Sequence, residues 1–213
     1  MSFRRRYLNK NLDQHKSKIK GKVLDVGGQK RPYDGVIVSR RIEGVEAWLF
    51  LNPDENTEPD FCCTADDIPI PDNYFDTLIM TEVLEYLVNP RQVFDELYRV
   101  SKPGCMMLLS TPFLVPIHAD YPEDHVRYTP VMIRQLVSQS GFQIHTIDPM
   151  GSVGAVLSDI LRISFTYSAN SKTRYVILRK LLNRARPFFQ FLDNRFDQQK
   201  HFITTGYFVI CEK

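Results

Sequence analysis

A chain of 213 residues with 43% hydrophobic content and a formal charge of +2 holds enough apolar matter for one domain with a real core. Two full domains would be cramped, and no apolar run nears the ~18 residues that a membrane-spanning helix needs. The opening MSFRRRYLNK is charged with no apolar stretch behind it, which does not read as a secretory signal. Four cysteines, Cys62, Cys63, Cys105 and Cys211, lack CxxC spacing. They are expected as reduced thiols of a cytoplasmic protein, with no metal site.

The small net charge hides an asymmetry. Residues 1–22 hold eight Lys/Arg and one acid, and residues 162–200 hold nine and two, which leaves the remainder at −12. Two basic segments on an acidic body suggest an anionic partner beside them. The second segment runs into PFFQFL at 187–192, and cations beside aromatics would suit peripheral contact with an anionic membrane. The competing expectation is that these aromatics fold back and the cations face water.

In chain order, residues 23–26 (VLDV) form an apolar run that enters a Gly27-Gly28 turn. Runs at 47–51 (AWLFL), 77–80 (TLIM) and 106–110 (MMLLS) repeat the pattern, with a weaker one at 60–64 (DFCCT). These are continuous rather than alternating, as in a parallel sheet covered on both faces. Asn89-Pro90 opens a helix whose stripe is Val93, Phe94, Leu97 and Val100, stopped at Pro103-Gly104. Thr129-Pro130 opens another, with Met132, Ile133, Leu136 and Val137 inward. Runs at 142–147 and 207–211 make a last pair of strands. Between them, two helical stripes are expected, one from Val153 to Leu161 and one from Tyr175 to Ala185, the latter ending before Pro187. The division is a basic leader at 1–22, a core at 23–148, a helical insertion at 149–205 and a final strand at 206–213.

Glycines directly after a first strand let backbone approach a ligand at the carboxyl edge of an open α/β sheet. Alone that signal is weak. Read together and in order, VLDVGGQKRPY, LNPD, ADDIPIPDNYFDTLIMTEVLEYL, NPRQVFDELYRVSKPG, LLSTPFLVPIHADYPEDHVRYTP and SGF carry far more. On these pieces the chain resembles the class I S-adenosylmethionine-dependent methyltransferases, nearest to the small ones of sugar and cell-envelope (polysaccharide) biosynthesis.

The resemblance implies an α/β, Rossmann-like sheet of seven mostly parallel strands with helices on both faces and the last strand antiparallel. It implies S-adenosylmethionine as cofactor, held by Asp25, Gly27, Gly28, Gln29, Leu51, Asn52, Ala65, Asp66, Thr81 and Glu82. Gln29 stands where the family has another glycine. Phe50 and Thr64 stand where it has the acids for the ribose hydroxyls and the adenine amine. An acid matters at the ribose because it accepts from two hydroxyls with charge-assisted strength. Asp54, Glu55, Asp66 or Asp67 are the available substitutes.

The acceptor side falls on the loop after the fifth run. His118, then His125, are the candidate bases, since an imidazole titrates near neutrality. Tyr86, Asp124, Arg127 and Tyr128 are candidate acceptor contacts. His15, His145 and His201 are read as structural. The expected reaction is methyl transfer to a hydroxyl of a saccharide or other small metabolite. A non-catalytic binding protein on the same fold is the first alternative. A nucleic-acid methyltransferase is the second, weakened because TEVL at 81–84 lacks the Asn/Asp-Pro-Pro-aromatic box. A nicotinamide enzyme is disfavoured by the missing three-glycine spacing.

Overall fold

A computed structural model describes residues 1–29, 42–117, 124–168 and 172–213. Its sheet comprises β1 (Gly21–Val26), β2 (Val45–Leu51), β3 (Phe75–Thr81), β4 (Ser101–Pro112), β5 (Gln143–Pro149) and β6 (Gly206–Glu212). Their order is β2-β1-β3-β4-β6-β5. The pairs β1–β2, β1–β3 and β3–β4 are parallel, whereas β6 runs antiparallel to both β4 and β5. Six strands are therefore present among the described residues, not seven. The run at 60–64 makes only one bridge, Leu51 with Phe61. Its Cys62 and Thr64 are exposed, so it has no second buried face to hold it in the sheet.

Side chains alternate across each strand, and the two faces carry separate cores. Leu24, Val26, Leu78, Met80, Met107 and Leu109 face α2 (Pro90–Val100) and α3 (Pro130–Gln139). Val23, Ile79, Leu108, Phe208 and Ile210 face α1 (Phe3–Gln14), which contributes Leu8 and Leu12. The α2 stripe of Val93, Phe94, Leu97 and Val100 is buried as its spacing requires. Two details differ. Asn89 makes no side-chain cap, and the chain enters β4 directly at Ser101, so Pro103-Gly104 lies inside a strand with a register shift. In α3, Met132 is exposed and the inward stripe narrows to Ile133, Leu136 and Val137.

The basic leader is part of the fold. It forms α1 because Ser2 caps its first turn, accepting from the Arg5 N–H, and because Phe3, Leu8 and Leu12 are buried. The insertion consists of α4 (Val153–Ser168), α5 (Lys172–Arg184) and α6 (Arg186–Arg195). Helix α5 ends at Arg184, before Pro187 as its stripe predicts, and Pro187 sits in the first turn of the separate helix α6, where its missing N–H costs nothing.

Asp193 ties this insertion to the body. Its carboxylate accepts from the Ser152 N–H at 2.7 Å, the Ser152 hydroxyl at 2.9 Å and the Ala155 N–H at 2.9 Å. The Tyr7 hydroxyl donates to its other oxygen. Burial, reinforced by this bond, pushes the Tyr7 phenol up to about 12. Removing one carboxylate would orphan several buried donors at once, each worth ~1–3 kcal/mol. Asp193→Ala is expected to cost several kcal/mol in urea unfolding, and Asp193→Asn distinctly less. Equal stability of the Ala variant and wild type would refute this anchoring role.

Candidate active site at the carboxyl edge of the sheet

Parallel strands β1, β2, β3 and the adjoining β4 end on one edge, and the predicted cofactor residues gather there. The Gly27 N–H donates to the Leu51 carbonyl at 2.7 Å, which joins the ends of β1 and β2. The Asn52 amide donates to the Gly27 and Gly28 carbonyls at 3.3 and 3.2 Å, pinning the turn. Gly27 has φ +75°, and an added Cβ would lie 2.5 Å from Val83 Cγ2, so the turn also abuts the loop after β3. Gly28 is a glycine for another reason. Its Cβ direction is filled by Asp25 Cγ at 2.6 Å and Phe50 Cδ1 at 2.7 Å. Gln29 follows, half-buried, as the last described residue of this turn. Ala65 is buried in the core near the Leu51–Phe61 bridge, with Asp66 beside it.

Asp25 accepts from Trp48 Nε1 at 3.1 Å. The enclosing protein pushes its carboxyl up to about 7, and the Trp48 bond draws it back only in part.

A polar cluster occupies the ends of β3 and β4. Glu82, at φ +59°, donates its N–H to the Ser110 carbonyl at 3.0 Å. Its carboxylate accepts from the Ser110 hydroxyl at 3.0 Å and is ion-paired with Arg4 of α1. Glu85 is fully buried, and neither of its carboxylate oxygens has a hydrogen-bond partner. Burial pushes its carboxyl up to about 8; the Glu82 charge adds to this, and Arg4 and Arg127 oppose it. The buried Thr111 hydroxyl and Arg127 Nε also lack partners.

The second predicted cluster meets the first through Glu85, whose carbonyl accepts from the His125 N–H at 3.0 Å. The His125 ring is exposed. Asp124 and Arg127 form a two-bond ion pair, one of its bonds 2.7 Å long, and this holds the guanidinium more firmly in its charged form. Tyr128 is buried in the core, and Tyr86 is half-buried in the short helical turn after β3. His118 lies outside the described residues. Of the histidines set aside, His15 stacks on Phe208, and His145 pairs with Glu212 at 2.9 Å.

Sequence reasoning missed two participants, Arg4 and Glu85. Glu85 left a signal, a second acid three residues after Glu82 within TEVLEYL, bracketed by leucines. Arg4 left none, since its partner is 78 positions away.

Residues 45–109, from β2 to β4, match the family described as "Methyltransferase domain". The fold is that of the class I methyltransferases. A S-adenosylmethionine-dependent methyltransferase from Archaeoglobus fulgidus superposes with a TM-score of 0.61 at 15% identity, covering 98% of this chain and 94% of that one. The [4+2]-cyclase SpnF gives 0.63 at 17%, covering 96% and 81%. Phosphoethanolamine N-methyltransferase 2 of Haemonchus contortus, bound to phosphomonomethylethanolamine and S-adenosylhomocysteine, gives 0.60 at 14%. This chain spans 52% of that last protein. No curated protein matches the chain.

The edge fits S-adenosylmethionine unevenly. The glycine turn, the orphaned Thr111 hydroxyl and the unsatisfied Glu85 suit a polar ligand lying across β1, β3 and β4. At the end of β2, where the resemblance implies an acid, stands the aromatic Phe50. Asn52 is committed to the glycine turn, and Asp54 caps the turn at 55–57 by accepting from the Asn56 N–H at 3.0 Å. Glu55, exposed on that turn, Asp66 and the exposed Asp67 are the acids left over.

Proposed function

We propose that the chain transfers a methyl group from S-adenosylmethionine to a hydroxyl of a saccharide or another small metabolite. The observation that carries the reading is the meeting of the glycine turn with the loop after β3, inside a segment matching a methyltransferase domain. Asp25, Gly27, Gly28 and Gln29 would line the methionine part, Leu51 and Asn52 the ribose, Ala65 and Asp66 the adenine, and Thr81 and Glu82 the centre. Bound there, the cofactor supplies an electrophilic methyl group on a sulfonium.

What the chain adds is position and proton handling. The His125 backbone is fixed by Glu85 and its ring is open to an acceptor, so it is the described residue best placed to take a hydroxyl proton. His118, on the same loop in sequence, is the other candidate base. The Asp124–Arg127 pair and Tyr86 would orient the acceptor, with Tyr128 bracing them from the core. A cytoplasmic setting belongs to the same reading.

A second reading, a binding protein on this fold that transfers nothing, is favoured by Phe50 and by the commitment of Asn52 and Asp54. Calorimetric titration with S-adenosylmethionine, with S-adenosylhomocysteine as competitor, separates the two. Saturable, competed binding is expected; no heat at millimolar cofactor would sink the enzyme reading.

A further inference from the structure

The helices α5 and α6 present one outer face that is both apolar and cationic. Exposure is 51% at Ile177, 58% at Leu181, 58% at Phe188 and 63% at Phe191. Positions 177, 181, 184, 188, 191 and 195 recur at steps of four and three, which places them on one side of a helix. The helical ladder nearly bridges the junction. Ala185 donates to the Leu181 carbonyl at 2.9 Å, and Phe189 donates to that of Ala185 at 3.2 Å. The opposite side carries the buried Phe189 and Asp193 and packs on α4.

Between those apolar groups stand Lys180, Arg184 and Arg195, all exposed. From Val176 to Arg195 the sequence holds one acid, Asp193, and it is buried against Ser152 and Ala155. The outer face therefore carries no carboxylate. Scattered apolar side chains on a surface are ordinary, but four large ones in register, interleaved only with cations, mark an interaction face.

We propose that this face docks peripherally on an anionic lipid bilayer. The aromatics would sink to the level of the acyl boundary while Lys180, Arg184 and Arg195 meet lipid phosphates. No described helix is long and apolar enough to cross a membrane, so the contact is one of lying on the surface. The basic half of α1 plays no equal part, because Arg4 is committed to Glu82 and Leu8 and Leu12 are buried in the core. The two expectations about this segment thus divide: Phe189 folds inward, whereas Phe188 and Phe191 do not. Arg174 lies outside the described side chains.

The test is sedimentation of the whole protein with phosphatidylcholine vesicles, with and without phosphatidylserine. Binding is expected only to the serine-lipid vesicles, and added salt should reverse it. Lys180→Gln with Arg184→Gln and Arg195→Gln should weaken it about a hundredfold, the product of three surface cations. Phe188→Ser with Phe191→Ser should weaken it at unchanged charge. Circular dichroism would confirm that both variants remain folded. Equal binding to both vesicle types, binding to neither, or binding unmoved by both variants overturns the proposal. So does a wild-type dimer that Phe188→Ser with Phe191→Ser dissociates, which would assign the face to a second copy.

Discussion

Gly27→Val is expected to abolish S-adenosylmethionine binding, by at least a hundredfold, while the sheet stays folded. Gly27 sits at φ +75°, a region a β-branched residue enters only with strain, of order 1–3 kcal/mol. Its added carbon would also lie 2.5 Å from Val83 Cγ2, in the loop that leads from Glu82 to Glu85. The substitution thus displaces two of the loops that would hold the cofactor. Gly27 itself is exposed, so the core pays little. A companion variant separates contact from strain. Gly27→Ala alone should weaken binding, and Gly27→Ala with Val83→Ala should recover part of the loss. Wild-type affinity in Gly27→Val, measured by calorimetry, would remove this turn from the cofactor site without touching the fold. Gly28 is the poorer probe, because a side chain there would first collide with Asp25 and Phe50.

How much of this was legible in the sequence follows from which forces are local. The runs at 23–26, 47–51, 77–80 and 106–110 could be read because strands covered on both faces need unbroken apolar stretches. The stripe from Val93 to Val100 could be read because burial on one side of a helix imposes its period. The run at 60–64 misled because its composition is apolar while only Phe61 reaches a partner strand. Met132 misled because α3 buries a narrower stripe than its hydrophobic spacing offers. The polar cluster was hidden for a different reason. The pairing of Arg4 with Glu82, and the anchoring of Phe3 and Arg4 N–H groups by Asp159 at 2.8 and 2.9 Å, join positions far apart in the chain. Nothing in the leader's charge run distinguishes a cation bound at the sheet edge from one facing water.

Glu85→Gln should flatten the pH dependence of stability. The wild-type carboxyl is raised from 4.5 to about 8, chiefly by burial, so the folded protein holds that proton over a range where the unfolded chain has released it. Its contribution is therefore fully present below the unfolded value and is lost as pH climbs toward about 8; beyond that both states are ionised. Asp25, raised to about 7, adds a slope of the same sign, but that slope ends lower and survives in the variant. The difference between wild type and variant above neutrality thus belongs to Glu85. Glutamine keeps the shape and cannot ionise, so it avoids the cavity that alanine would leave. Melting temperatures should coincide near about pH 5, where the carboxyl is neutral. Near about pH 9 the variant should melt several degrees higher, at about 2–4 °C per kcal/mol for a chain of this size. Wild-type and variant curves that run parallel from about pH 5 to about pH 9 would show that Glu85 is already ionised over that range, as it is in the unfolded chain. Its orphaned oxygens would then need a permanent cationic partner, and Arg4 and Arg127 are the groups whose replacement would find it.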